Sequence, residues 1–162
     1  MPDLSLNEIA LKNHAWVERM GWHNKSTLES FALIASEVGE AIEALLYGKD
    51  EDLIGEELAD IVLRISDLAV ATGRDLEALV EAANPERNTL YASEEIAEIM
   101  VDVARGINAC RKESLGDDFD NALGAITSRV LEFADRQDLD LKMAINRKMA
   151  VNEMRGTRGR KI

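Results

Sequence analysis

Apolar residues recur every three or four positions along most of this chain, which is the period that places side chains on one face of an α-helix. Glycines, helix-capping residues and Pro85 interrupt the pattern. Ser5 followed by Glu8 is a typical helix start. The pattern predicts an all-α helical bundle, a single domain over residues 1–162, with helices over the segments 6–20, 27–47, 51–71, 75–83, 93–112, 117–136 and 138–155.

An internal repeat becomes visible when the chain is compared with itself at an offset of 65 residues. Segments 31–79 and 96–144 align without gaps, and twelve of the 49 compared positions are identical. Amphipathic helices rich in Ala, Leu and Ile also match by chance, but one gap-free register over three elements favours duplication of a helical hairpin. Such a hairpin cannot bury its apolar face alone, so we expect the two copies to pack together.

Two pairs of acids interrupt apolar stripes of the second and third predicted helices. Glu37 and Glu40 lie three residues apart, as do Glu57 and Asp60, so each pair shares one helix face. Burying an unpaired carboxylate is costly, so such a group needs a cation. A short connection makes the two helices antiparallel neighbours, and four carboxylates can then face one cavity. Hard oxygen ligands of this kind suit Mg²⁺ or Mn²⁺.

The alternative, that these four acids are ordinary solvated residues of an acid-rich chain, stays open. Arg64 is the nearest base on the same stripes and could pair with them. In the second copy the apolar framework matches, but three of the four acids are absent, because their counterparts are Asp102, Arg105, Ala122 and Ala125. The framework therefore suffices for the fold, and we predict one metal site per chain, in the first copy.

Composition narrows the class of protein. The 162 residues carry 19 Lys and Arg against 31 Asp and Glu, a formal net charge of −12. This balance argues against binding to polymeric nucleic acid, whose phosphates need compensating cations. A single cysteine, Cys110, fits a reducing compartment. With no signal-peptide pattern and no apolar run of membrane-spanning length, we expect a cytoplasmic protein without a membrane partner.

The acid pairs and the basic C-terminal segment resemble the MazG-like all-α nucleoside triphosphate pyrophosphatases. Ser-Glu-Val-Gly-Glu-Ala-Ile-Glu-Ala at 36–44 and Glu-Glu-Leu-Ala-Asp-Ile-Val at 56–62 are similar to that family's ExxE…ExxD signature. Lys148-x-x-x-Asn152-x-x-Arg155 is similar to its closing motif, and residues 156–161 to its basic tail. In short members the closing motif soon follows the ExxD helix. Here the second copy intervenes, as in tandem members of the dimeric dUTPase lineage.

The resemblance implies hydrolysis of a (d)NTP to (d)NMP and pyrophosphate, with Mg²⁺ as the cofactor and Mn²⁺ as its substitute. It implies that Glu37, Glu40, Glu57 and Asp60 hold the metal and form the catalytic centre. One of them, or Glu56, would orient the attacking water. The metal would neutralise the charge that a triphosphate brings to four carboxylates.

The resemblance also implies the substrate contacts. Phosphate contacts would come from Lys148, Asn152 and Arg155, supplemented by Arg158 and Arg160, and base contacts from Asn13, His14, Trp22 and Tyr47. Whether the closing motif reaches the site of its own chain or that of a partner is open. The family implies a homodimer or homotetramer in a bacterial or phage-infected cell.

Several substrates and functions stay open. We expect (d)GTP or another purine nucleotide, as in phage enzymes of the MazZ type, with dUTP, dCTP or damaged nucleotides as alternatives. A catalytically inactive nucleotide-binding protein and a helical bundle that assembles partners are further alternatives. A ferritin-like di-iron bundle is excluded because it needs Glu-x-x-His pairs, and neither histidine follows a glutamate by three.

Overall fold

The computed structural model describes residues 4–24, 26–48, 50–87, 91–112 and 114–156. Over these residues the chain forms seven α-helices and no strand. The helices are α1 (Leu6–Met20), α2 (Thr27–Leu46), α3 (Glu51–Ala71), α4 (Leu76–Ala82), α5 (Ala92–Cys110), α6 (Asp117–Arg136) and α7 (Leu141–Arg155). The all-α helical bundle expected from the sequence is confirmed.

Local capping explains where the helices begin and end. Ser5 Oγ accepts a hydrogen bond from the Glu8 backbone N–H, and Glu8 Oε2 accepts one from the Ser5 N–H at 2.8 Å. This is the reciprocal cap that the sequence predicts for α1. The predicted start of α7 at residue 138 is wrong, because Asp138 has a φ of 55° and Asp140 caps the helix instead. Every other helix boundary lies within two residues of its predicted position.

The helix α3 lies at the centre of the bundle and contacts α1, α2, α6 and α7. It forms a hairpin with α2, and α5 forms a second hairpin with α6. The core between them consists of fully buried apolar side chains, among them Ile34, Leu58, Ile61, Ile99, Leu123 and Ile126. Because α3 is covered on several sides, polar side chains along it are held close to apolar neighbours.

The two hairpins meet where α2 crosses α5. The Phe31 ring of α2 is fully buried and lies edge-on to Phe119, with ring centroids 5.9 Å apart. It also lies directly against Gly106 of α5, where an added Cβ would overlap the ring. Glycine at this position therefore allows α2 and α5 to approach closely.

An ion pair occurs at matching positions of the two hairpins. Arg64 Nε donates to Glu37 Oε1 at 2.6 Å, and Arg129 Nε donates to Asp102 Oδ2 at 2.6 Å. Each arginine lies 27 residues after its acid, and the two pairs are offset by 65 residues. The duplication itself stays a prediction. Within the residues given above, none of the helices combines the length and the apolar character needed to cross a membrane.

Candidate metal centre and adjoining cavity

A cavity of about 330 Å³ lies between α1, α2, α3 and α7. It brings together all four acids and most of the substrate contacts expected from the sequence. Its wall contains Glu37, Glu40, Glu57, Asp60, Lys148, Asn152, Arg155, Trp22 and Asn13. It also contains Arg64, which the sequence suggested as a partner of these acids, and residues that the sequence did not assign to the site: Trp16, Val17, Asn24, Leu63 and Asp67.

Three of the acids form a compact cluster. Glu37, Glu40 and Glu57 each contribute a carboxylate oxygen, and these oxygens lie within 4.8 Å of one another. Glu37 and Glu57 are buried, whereas Glu40 is exposed, and all three line the cavity. Oxygens bound to a single Mg²⁺ at about 2.1 Å lie about 3 to 4 Å apart, so small side-chain rotations would bring the cluster to coordinating geometry. The cluster can therefore hold a hard divalent cation.

The fourth acid, Asp60, lies beside the cluster and is paired with a cation of the chain. Lys148 Nζ lies 2.7 Å from Asp60 Oδ2, and both side chains are largely shielded from solvent. The contact forms because α7 packs against α3. Lys148 thus contacts an acid of the candidate site in its own chain. Arg155 and Asn152 follow it along the same wall.

Arg64 is the second cation in contact with these acids. Its Nε and Nη2 both lie 2.6 Å from Glu37 Oε1, as its position on the same stripe suggested. Among the described residues, one guanidinium and one ammonium are thus paired with two of the four carboxylates. The excess of negative charge favours recruitment of a further cation.

The electrostatic consequence is largest at Glu57. Burial, together with repulsion from the carboxylates of Glu40 and Asp60, raises the pKa of Glu57 to about 7, although Lys148 acts to lower it. Burial also raises the pKa of Asp60, against the lowering effect of its hydrogen bond with Lys148. In the absence of metal, this cluster therefore binds a proton near neutral pH, and a divalent cation would compete with that proton.

Burial would lower the pKa of Lys148, but its hydrogen bond to Asp60 and the neighbouring acids raise it. The ammonium therefore stays charged across the physiological range. A permanent positive charge on the cavity wall suits contact with phosphate oxygens.

Two of the expected base contacts lie off the cavity wall. His14 Nδ1 is 2.7 Å from Asp67 Oδ1, so His14 contacts a wall residue rather than the cavity itself. Tyr47 follows the last residue of α2 and is 74% exposed. Glu56, considered for orienting water, is exposed on α3 and is not part of the wall. Arg158 and Arg160 lie outside the described residues.

Two tryptophans form an aromatic section of the wall. Trp16 is buried, yet it also lines the cavity. Its ring centroid lies 5.3 Å from that of Trp22, with the planes tilted by 54°. The Trp22 indole N–H donates to the Gly156 carbonyl at 3.2 Å, which ties this ring to the end of α7.

Sequence reasoning missed Asp67 and Asn24. Asp67 follows Asp60 by seven residues, which is two helical turns, so it extends the same stripe of acids. This spacing could have predicted that Asp67 faces the same cavity. Asn24 lies in the connection between α1 and α2, where no periodicity predicts the direction of a side chain.

Comparison with known proteins gives no match to a family model, to a curated protein or to a solved structure. The chemistry of this cavity and the motifs that line it are therefore the features that indicate a function.

Proposed function

We propose that this protein is a metal-dependent nucleoside triphosphate pyrophosphohydrolase, which converts a (d)NTP and water to a (d)NMP and pyrophosphate. The observation that carries the proposal is the meeting of three chemical features in one cavity. These are a carboxylate cluster able to hold a divalent cation, the ion-paired Lys148 together with Arg155 on α7, and an aromatic and amide-lined section formed by α1 and the segment after it. Together they match the metal, phosphate and base requirements of a nucleotide.

The donor set fits Mg²⁺, with Mn²⁺ able to replace it. Glu37, Glu40 and Glu57 offer carboxylate oxygens and no thiolate or imidazole, as hard cations prefer. Asp60, the fourth predicted ligand, lines the same cavity but lies outside this cluster and is paired with Lys148. When bound, the metal would supply charge neutralisation and a more acidic water. The cavity of about 330 Å³ is at the lower end of the usual range for small-molecule sites.

The basic residues of the cavity would bind the phosphates, and its acidic residues would act on the metal and the water. Lys148 and Arg155 would contact the phosphate oxygens, with Asn152 between them on the same face of α7. One of the four acids would orient the attacking water beside the metal. The cavity wall of α1 and Trp22 would hold the nucleoside away from bulk water.

A product assay tests this proposal. The protein is incubated with each of the eight common ribo- and deoxynucleoside triphosphates and Mg²⁺, and mono- and diphosphate, pyrophosphate and phosphate are resolved. We expect monophosphate and pyrophosphate in equal amounts from at least one nucleotide. Glu40→Gln should lower the rate by on the order of 100-fold or more, because it removes one ligand charge. Glu81→Gln makes the same change at an exposed acid of α4 and should leave the rate unchanged.

The other outcomes point to the alternatives. Release of diphosphate and phosphate would contradict cleavage at the α–β bond. Thermal stabilisation by nucleotides without turnover would instead identify a nucleotide-binding protein. Neither turnover nor stabilisation would overturn the proposal in favour of a non-catalytic bundle. The proposed homodimer or homotetramer is checked by sedimentation of the same preparation.

A further inference from the structure

The cavity wall is acidic at one part of α3 and largely aromatic and amide-lined further along the same helix. The acid cluster lies at Glu57 and Asp60, whereas Asp67 lies seven residues further on, about 10 Å along the helix axis. Around Asp67 the wall is formed by the two indole rings, Leu63 and two asparagines, Asn13 and Asn24. We call this part of the wall, namely Asn13, Trp16, Trp22, Asn24, Leu63 and Asp67, the α1 end of the cavity.

The two asparagines at the α1 end have fixed amide orientations. Asn13 Nδ2 donates to the Leu63 carbonyl at 2.8 Å, and a carbonyl can only accept. Asn24 Nδ2 donates to Ser30 Oγ at 3.0 Å, and that hydroxyl in turn donates to the Ser26 carbonyl at 3.3 Å. Each amide nitrogen is therefore the atom held by the protein. The amide oxygens are the acceptors that these two side chains bring to the wall.

Asp67 adds a carboxylate to these acceptors. The residue is only 8% exposed, and His14 Nδ1 lies 2.7 Å from its Oδ1. Its Oδ2 has no hydrogen-bond partner among the residues that the structure describes. Burial raises the pKa of Asp67, so donors from a ligand would stabilise its charged form. The α1 end thus combines two indole rings with acceptor oxygens from Asn13, Asn24 and Asp67.

We propose that the α1 end is a nucleobase site that selects bases carrying an amino group, guanine above all, and that Asp67 is its specificity-determining residue. This inference rests on the proposed function and names its substrate class. The two indoles supply stacking surface, which is worth about 1–3 kcal/mol per base in nucleic-acid sites. The acceptors then decide which base is retained.

The ranking of bases follows from their hydrogen-bonding edges. Guanine presents two adjacent donors, N1–H and the 2-amino group, and one carboxylate can accept both. Adenine and cytosine present an amino group beside a ring nitrogen that only accepts. Uracil and thymine present one N–H between two carbonyl oxygens. When the N–H approaches the carboxylate of Asp67, a carbonyl oxygen of the base also comes close to that carboxylate and the two repel each other. A site built to accept from a ligand strongly rejects an analogue that lacks the donor.

Base analogues test the contact without changing the protein. The kcat/KM of the wild-type protein with Mg²⁺ is compared for GTP, ITP, XTP and UTP. ITP lacks only the 2-amino group, and XTP has a carbonyl oxygen in its place. We expect GTP to exceed ITP by about 10-fold or more, and XTP and UTP by about 100-fold or more. Equal values for GTP and ITP would overturn the proposal.

Asp67→Asn tests the residue itself, since it exchanges one acceptor oxygen for an amide N–H₂ of the same shape. The GTP to XTP preference should fall by about 100-fold or more, because the amide can donate to the carbonyl of xanthine. Asp135→Asn makes the same exchange at an exposed acid of α6 and should leave the preference unchanged. An unaltered preference in a folded Asp67→Asn protein would also overturn the proposal.

Binding of monophosphates separates this inference from the proposed hydrolysis. Thermal stabilisation is measured with GMP, XMP and UMP in the absence of Mg²⁺. Stabilisation by GMP above UMP, lost in Asp67→Asn but without turnover of any triphosphate, would retain the base site and reject the hydrolase. Turnover of all triphosphates at similar kcat/KM would retain the hydrolase and reject the base site.

Discussion

Glu57 shows how a single residue connects stability with ligand binding. Its carboxylate is buried on α3 beside Glu40 and Asp60, and this environment raises its pKa to about 7. Such an arrangement is unfavourable for a folded protein without metal, because the charged form is destabilised by burial and repulsion. A cation that replaces the proton removes both penalties. The cost in the metal-free state is the expected property of a site prepared for a divalent cation.

The pH dependence of stability should therefore change on addition of Mg²⁺. A pKa raised from 4.5 to about 7 means that the folded state holds this proton more tightly than the unfolded state. The metal-free protein should lose stability as pH rises from 4.5 to about 7, and should level off above that. Stabilisation by Mg²⁺ should increase over the same interval, because the metal displaces the proton.

Thermal unfolding between pH 5 and 8, with and without Mg²⁺, measures both trends. Glu57→Gln cannot titrate, so it should flatten the metal-free trend and weaken the response to Mg²⁺. A melting temperature that stays constant from pH 5 to 7 without metal would contradict the pKa assigned to Glu57.

For individual residues, the sequence predicts the four acids of the site but not the contacts that form only when separate helices pack together. Glu37, Glu40, Glu57 and Asp60 were predictable because helical periodicity alone shows that they interrupt apolar stripes. The pairing of Lys148 with Asp60 depends on how α7 docks on α3, which periodicity does not specify. The acceptor group at the α1 end depends on three separate segments that meet only in the fold.

The helices α1 and α4 show how one element can stabilise the start of another. Asn7 of α1 accepts hydrogen bonds at Oδ1 from the backbone N–H groups of Leu76 and Glu77, at 3.1 and 3.2 Å. Its Nδ2 donates to Asp75 Oδ1, the side chain that caps α4, at 2.8 Å. A helix of seven residues is too short to be stable alone. The N-terminus of α4 is therefore fixed by a residue 68 positions away.

Asn7→Ala should lower the free energy of unfolding by about 1–2 kcal/mol, because two backbone donors of α4 lose their acceptor. Chemical denaturation measures the loss. Lys12→Ala, at an exposed position of the same helix, should change stability by less than about 0.5 kcal/mol. Hydrogen exchange should accelerate at the first amides of α4 in Asn7→Ala and stay unchanged in the control. Equal stabilities of the two variants would refute this role of Asn7.

Sequence reasoning at the scale of elements succeeded where the signal was local. The capping box at Ser5 and the glycine after Met20 fixed the ends of α1. The start of α7 was misplaced because Asp138 adopts a left-handed conformation, which no local pattern indicated. The cap that Asn7 provides to α4 is a long-range contact and has no counterpart in local sequence.

Across the whole molecule, the contact of Phe31 with Gly106 connects the two hairpins. The ring occupies the space in which a Cβ at position 106 would lie. The offset of 65 residues pairs Phe31 with Ile96 and Gly106 with Ala41, and both of these residues are fully buried. One half thus carries phenylalanine and the other glycine, where the equivalent positions carry isoleucine and alanine. Close packing makes such volume exchanges strongly coupled.

Gly106→Ala should destabilise the protein by about 1–3 kcal/mol, since overpacking outweighs the gain in helix propensity. In the background of Phe31→Ile the same substitution should be close to neutral or stabilising, which gives a coupling energy above about 1 kcal/mol. Gly39→Ala has no atom within 4 Å of the added Cβ and should stabilise α2 by about 0.5–1 kcal/mol. Additive effects of the two core changes would contradict direct contact.

The Phe31–Gly106 contact also has an evolutionary consequence. If the hairpins arose by duplication, they could exchange segments by recombination only while their contact surfaces stayed interchangeable. Once one half acquired the ring and the other lost its side chain at the opposing position, a copy of either half paired with itself would clash or leave a void. The two halves must from then on be inherited together, and substitutions at positions 31 and 106 should covary among descendants of this chain.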